Sequence, residues 1–222
     1  MGNVIKIKTL VHATHDMLRI VTEKPAGISF HPGQAADISI NQPGWQDQLR
    51  AFTFTCLPDD SFLEFTIKTY PERKGVTNQL LSLQAGDELI IGDVFGDINY
   101  KGEGIFIAGG AGITPFVSIL RSLEKQNKLG KNKLIFANKT KADIVYEDMF
   151  RKLLGQGFIN ILSAESLPGY EHGFVSADLI KKVNESDLKY YYLCGPDPMM
   201  QAVSAQLSGL GVDEDHLIRE GF

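Results

Sequence analysis

Short runs of alternating apolar and polar residues fill the first hundred positions, and each run stops at a turn signal. Val4–Leu10, Met17–Val21, Ala36–Ile40, Phe52–Cys56, Phe62–Ile67 and Glu88–Ile91 all show the period of two expected of strands. Pro25-Ala26-Gly27, Pro32-Gly33, Pro43-Gly44, Pro58-Asp59-Asp60 and Ala85-Gly86-Asp87 separate them. Six short strands at such spacing predict an antiparallel, Greek-key β-barrel, with one short helix near Asn78–Leu83. Beyond Gly104 the pattern changes to apolar run followed by amphipathic run. Ile105–Ala108, Leu134–Asn138, Phe158–Ser163 and Tyr190–Cys194 read as strands, and Pro115–Gln126, Tyr146–Leu154, Ser176–Val183 and Asp197–Leu210 as helices. This order predicts an α/β domain built on a parallel sheet with helices on both faces. The expected division is a barrel over 1–101 and an α/β nucleotide-binding domain over 102–222, and no internal repeat is visible.

Composition narrows the function classes. The 222 residues are 43% hydrophobic and 22% charged, an ordinary soluble balance, and the formal charge of −5 disfavours nucleic acid as a partner. The densest lysine stretch, Lys125 to Lys133, reads as a solvated helix end and loop. Met1 to Lys8 lacks the apolar core of a signal peptide, and no apolar run could span a bilayer. Two cysteines, Cys56 and Cys194, cannot supply an all-cysteine iron–sulfur or zinc site, so no metal is expected. A reduced, cytoplasmic protein is the simplest expectation.

The stretch richest in chemistry is Ile105-Phe106-Ile107-Ala108-Gly109-Gly110-Ala111-Gly112-Ile113-Thr114-Pro115. An apolar strand, three glycines within four residues and a helix-opening proline place backbone N–H groups and a helix dipole where a phosphate can bind. Its proline stands where the dinucleotide fingerprint G-x-G-x-x-G has a third glycine, and taken alone the turn also suits an ordinary strand–helix connection.

Four other segments accompany this turn: Arg50-Ala51-Phe52-Thr53, Gly75-Val76-Thr77-Asn78, Cys194-Gly195-Pro196-Asp197-Pro198 and Glu220-Gly221-Phe222. In this order the set resembles the ferredoxin–NAD(P)H reductase (flavodoxin reductase) family, from roughly Phe30 to the last residue. That family carries R-x-[YF]-[ST] and G-x-x-[ST] in its flavin domain, then G-G-x-G-[IV]-[TA]-P and C-G-P in its nucleotide domain. Here Thr77 falls one place earlier than the second signature asks.

The resemblance implies an oxidoreductase that passes hydride from a nicotinamide to the N5 atom of FAD, with FMN possible. Single electrons would then go to a separate carrier such as flavodoxin or ferredoxin. The alternative is an electron-transfer subunit of a larger oxygenase or dehydrogenase complex. Arg50 would pair with the flavin pyrophosphate through charge-assisted bonds. Phe52 would lie against the flavin ring, with Thr53 near N5 and Ile67 and Lys68 along the ring, while Gly75, Val76 and Thr77 would cradle phosphate. Gly110, Gly112, Thr114 and Pro115 would approach the nicotinamide nucleotide. Cys194, followed by Gly195 and Pro196, would sit beside its reactive carbon. The terminal Glu220 and Phe222 would stand near the hydride-transfer site. Asn138 and Lys139 occupy the stretch expected to choose between NADH and NADPH. They lack the Ser-Arg pair of strong NADPH users and look more like NADH-using relatives such as cytochrome b5 reductase, although Lys139 or Lys141 could still meet a phosphate.

Overall fold

The computed structural model describes residues 2–185 and 187–219. Its first part is built from β1 (Asn3–His12), β2 (Met17–Glu23), β3 (Ala35–Ile40), β4 (Arg50–Thr53), β5 (Phe62–Lys68), the short helix α1 (Val76–Gln79) and β6 (Glu88–Phe95). The six strands form one antiparallel sheet in the order β4-β3-β6-β1-β2-β5, and a bridge between Phe54 and Phe65 brings its two edges together. Alternation fills the barrel: Ile5 and Ile7, Leu18 and Ile20, Ile38 and Ile40, and Leu63, Phe65 and Ile67 point inward as one core.

Two boundaries differ from the sequence expectation. The strand expected at Phe52–Cys56 runs Arg50–Thr53, because the next residues leave the ladder for the interior. Phe54 stacks on Phe30 with ring centroids 4.0 Å apart, and the Cys56 sulfur accepts the Glu64 N–H at 3.2 Å. Burial pushes the Cys56 thiol up to about 11, which makes it inert at neutral pH. The short helix begins at Val76 rather than Asn78 and passes into a 3-10 turn over Leu80–Ser82.

The second part alternates strand and helix except at the consecutive strands β9 and β10: β7 (Gly104–Gly109), α2 (Thr114–Lys125), β8 (Lys133–Asn138), α3 (Glu147–Leu154), β9 (Phe158–Leu162), β10 (Glu171–His172), α4 (Ala177–Val183), β11 (Tyr190–Cys194), α5 (Asp197–Gly209) and β12 (Leu217–Arg219). All pairings are parallel, in the order β10-β9-β8-β7-β11-β12. Four strands were expected; the edge strands β10 and β12 are additional. Two and three residues long, they are too short for a periodic signal. Phe106 and Ala108 of β7 pack with Phe116 and Leu120 of α2 and Phe150 of α3 on one face of the sheet. Ile105 and Ile107 pack with Ile180 of α4 and Val203 and Leu207 of α5 on the other. Helices therefore cover both faces.

The junction between the two parts is pinned. Tyr192 is buried, and its hydroxyl accepts the N–H groups of Lys101 at 2.9 Å and Gly102 at 3.0 Å while donating to the Gly102 carbonyl at 2.7 Å. Burial raises that phenol to about 12, so it stays protonated and keeps donating. Met17 and Ile98, from the barrel side, are members of the α/β core, so apolar packing joins the parts as well. No helix among the described residues is long and apolar enough to cross a membrane.

Candidate active site

Strand order reverses at β7, with β8 on one side and β11 on the other, and in open α/β sheets the crevice beyond such a point collects ligands. A cavity of about 960 Å³ opens there, between the carboxyl ends of these strands and the barrel. Gly110, Asn138, Lys139 and Pro196 line it from the sheet, and Lys68 lines it from β5. Five of the residues expected from sequence thus line one cavity.

The glycines of the turn serve different ends. Gly110 has φ +50°, and an added Cβ would meet nothing within 4 Å. Its backbone bends in the left-handed region and stays open to the cavity. At Gly112 an added Cβ would lie 2.2 Å from the Cys194 carbonyl oxygen, and at Gly109 it would lie 2.3 Å from the Met199 sulfur. Glycine at 112 is therefore demanded by packing of the turn on the backbone at the end of β11, while at 109 a side chain would have to displace Met199 of α5. That packing brings Cys194 and Gly195 against the turn, behind the cavity lining. A 3-10 turn over Gly110–Ile113 leads into α2, where the Thr114 hydroxyl donates to the Ala111 carbonyl at 3.0 Å. Pro115 stands in the first turn, where the missing N–H costs no bond.

Two buried polar atoms on lining residues have no hydrogen-bond partner, Asn138 Nδ2 and Gln206 Oε1. An orphaned buried amide group costs on the order of 1–3 kcal/mol, which a polar ligand would recover. Phe174 also lines the cavity yet is 83% exposed, an aromatic face with nothing on it. Gln206, Phe174, Ser163 and Met199 are functional candidates that the sequence did not single out. In sequence, Phe174 after Gly173 (φ +107°) cannot be told from a core aromatic.

On the barrel side Arg50 is exposed on β4, and its Nη1 donates to the neighbouring Leu49 carbonyl at 2.6 Å. Phe52 and Thr53 are half-buried on the same strand. Ile67 and Val76 turn their side chains into the barrel core, so they can offer a ligand only backbone. Gly75 is the N-cap of α1, with open space at its Cβ position. Thr77 is therefore inside the first turn rather than at the cap. Lys68 Nζ reaches Asp16 Oδ2 at 2.6 Å. Burial alone would push the Asp16 carboxyl up, but Lys68 outweighs it and holds the group below its ordinary value of 3.8. His15 Nε2 lies 3.6 Å from Asp143 Oδ1, so barrel and sheet also meet at the cavity mouth. Asp143 in turn accepts from the Thr140 N–H and hydroxyl, each at 2.7 Å, which caps the turn after β8. Glu220 and Phe222 lie outside the described residues.

Known proteins resemble this chain in sequence and fold. Residues 106–205 match the oxidoreductase NAD-binding domain model. The reductase component of propane 2-monooxygenase from Rhodococcus jostii is 29% identical over 221 residues, which span 92% of this chain and 59% of that protein. NADH-cytochrome b5 reductase 2 of Mycosarcoma maydis is 30% identical over 224 residues, 90% of this chain and 63% of that protein. The chain thus spans about three-fifths of the length of these curated relatives. The FAD/NAD-binding domain of nitric oxide dioxygenase from Vibrio cholerae shares the fold with a TM-score of 0.87 at 22% identity, covering 100% of this chain and 98% of that one.

Proposed function

We propose that this chain, a barrel followed by a domain whose residues 106–205 match the oxidoreductase NAD-binding domain model, is a ferredoxin reductase-type, flavin-dependent NAD(P)H oxidoreductase feeding electrons to a separate redox carrier. The observation that carries this reading is the cavity at the strand-order reversal, whose lining includes the bare Phe174 ring and two residues, Asn138 and Gln206, with an unpartnered buried amide atom each. A nicotinamide dinucleotide fits it. Gly110 offers close backbone approach, Asn138 and Gln206 offer a donor and an acceptor, and Phe174 offers a stacking face. FAD, with FMN as the alternative, goes to the barrel side.

A bound flavin and nicotinamide would supply the hydride chemistry, leaving the protein to bind, orient and exclude water. Exposed and without an acid partner among the described residues, Arg50 is available for a pyrophosphate. Phe52 and Thr53 would lie along the flavin, and Val76 and Thr77, behind the open Cβ side of Gly75, would present first-turn N–H groups to its phosphate. Gly112, Thr114, Pro115, Gly195 and Cys194 would act as the floor that holds the nucleotide turn in shape. NADH is the preferred donor in this reading. Lysine is scarce around the cavity: Lys68 is engaged by Asp16, and Asp143 and Glu72 share the lining with Lys139. A 2′-phosphate would meet little net positive charge there.

The acceptor would be a ferredoxin, a flavodoxin or an oxygenase component, met transiently, in a cytoplasmic setting. A second reading, a reductase subunit working inside a larger complex, is supported by the likeness to the reductase component of propane 2-monooxygenase. Anaerobic mixing with NADH and NADPH in parallel tests the proposal. A yellow protein whose flavin bleaches faster with NADH supports it, and extraction of the same sample identifies the flavin. Colourless protein, or flavin that neither nucleotide bleaches, overturns it. Turnover of an artificial acceptor by the isolated chain separates the first reading from the second.

A further inference from the structure

The proposed reaction needs a donor held by the sheet and an acceptor held by the barrel at a separation fixed to a fraction of an ångström. Resting on that reading, we propose that Glu64 is a positioning residue for hydride transfer, and that the outward face of β5 is the rail fixing the nucleotide-binding segments to the flavin barrel.

Leu63, Phe65 and Ile67 face the barrel core, so Glu64, Thr66 and Lys68 face the other way. Glu64 and Thr66 each meet a different part of the second domain, while Lys68 pairs with Asp16. Glu64 is 1% exposed. Its Oε2 accepts from Arg19 Nε at 2.8 Å and Nη2 at 2.6 Å, and its Oε1 accepts from the Thr55 hydroxyl at 3.0 Å. Arg121 Nη1 stands 3.7 Å from Oε1 and donates to the Thr55 carbonyl at 2.7 Å. Arg121 belongs to α2, the helix that begins directly after the Gly110 turn, about two helical turns upstream. The barrel therefore grips the helix that carries the nucleotide turn.

Two residues along, the Thr66 hydroxyl and the Tyr146 hydroxyl are 2.5 Å apart. Tyr146 is the N-cap of α3, at φ +60° and ψ +22°. An aromatic side chain adopts that left-handed conformation only when its surroundings hold it there. It also ends the segment that runs from Asn138, the cavity residue at the end of β8. Lys68, the next outward residue, lines the cavity itself. Both nucleotide-facing segments are thus tied to consecutive outward positions of one strand. Apolar contacts could join two domains equally firmly, but a buried carboxylate with fixed donors also fixes direction.

The test is anaerobic flavin reduction by saturating NADH. Glu64→Gln keeps the shape and removes the charge. The rate constant for flavin reduction is expected to fall roughly tenfold or more, the size of effect that a misplacement well under 1 Å produces. Nucleotide Kd should stay within about twofold of the parent, a split that marks an interaction felt in the transition state. Flavin content should not change, and the long-wavelength absorption of the nicotinamide–flavin pair should weaken. Tyr146→Phe, which loses the hydroxyl that meets the Thr66 and Thr55 side chains, should slow the same step by about threefold. A parent-like rate constant in Glu64→Gln overturns the proposal, as does a loss traced wholly to flavin release or nucleotide binding. Should Glu64→Gln not fold, Tyr146→Phe decides alone, and a parent rate constant there overturns it. A parent protein reduced by neither nucleotide overturns the functional reading, and the positioning role falls with it.

Discussion

Compare the two ends of the seam where β5 meets the second domain. At Glu64 the seam is sealed: the carboxylate is buried, and donors from β2, from the segment after β4 and from α2 converge on it. At Lys68, about 14 Å further along the strand, it opens into the 960 Å³ cavity. There the ion pair with Asp16 is partly solvated and Phe174 stands bare. The same strand with the same alternation produces an anchor at one end and an entrance at the other. The difference lies in what covers it, α2 in the first case and open space in the second. Anchoring and access can therefore be perturbed separately.

The largest effect should come from the sealed end. Glu64→Ala leaves Arg19 and Arg121 facing a void and is expected to lower unfolding free energy by about 3 kcal/mol, measured by denaturant melts. A loss below about 1 kcal/mol would show that the seam is not held there. At the open end, Phe174→Ala should leave stability within about 0.5 kcal/mol of the parent, because the ring is already in water. It should raise the KM for NADH roughly tenfold if the ring stacks on the nucleotide. An unchanged KM would remove Phe174 from the binding surface and blunt the contrast.

The smallest effect concerns acid. Because Lys68 holds Asp16 below its ordinary value of 3.8, the folded carboxyl binds its proton less readily than the unfolded one. The pair's contribution is complete above that ordinary value and disappears as pH falls through the lowered folded value. It should amount to no more than about 1 kcal/mol. Lys68→Met should flatten that part of the stability profile between about pH 5 and about pH 2, and an unchanged profile would mean that the open end carries no electrostatic tie.

Much of the architecture is legible in the sequence because it rests on local period. Alternation marks the barrel strands, Pro115 marks the start of α2, and Ser176 caps α4 by accepting the Leu179 N–H at 3.2 Å. The site is legible only in part. Among the residues lining the cavity, Gly110 could be named from its glycine turn, and Asn138, Lys139, Pro196 and Lys68 through the family resemblance. Glu64 could not, since within Phe62-Leu63-Glu64-Phe65-Thr66-Ile67-Lys68 it reads as the solvent-facing member of an alternating pair. A second domain, brought from far along the chain, buries it. Gln206 and Phe174 were hidden for a related reason: a glutamine on a helix and an aromatic in a loop carry no local sign of which cavity they face.

By itself the sequence determined the two element patterns, their order and the glycine turn that joins β7 to α2, because these follow from side-chain period and backbone freedom within a few residues. Tertiary structure alone decided why Gly112 must be glycine, which is the Cys194 carbonyl pressed against it from another strand. It also decided that Glu64 is an anchor and Lys68 a gatepost. Burial and hydrogen-bond satisfaction are properties of what packs against a residue, and for these positions that neighbour lies tens of residues away in the chain.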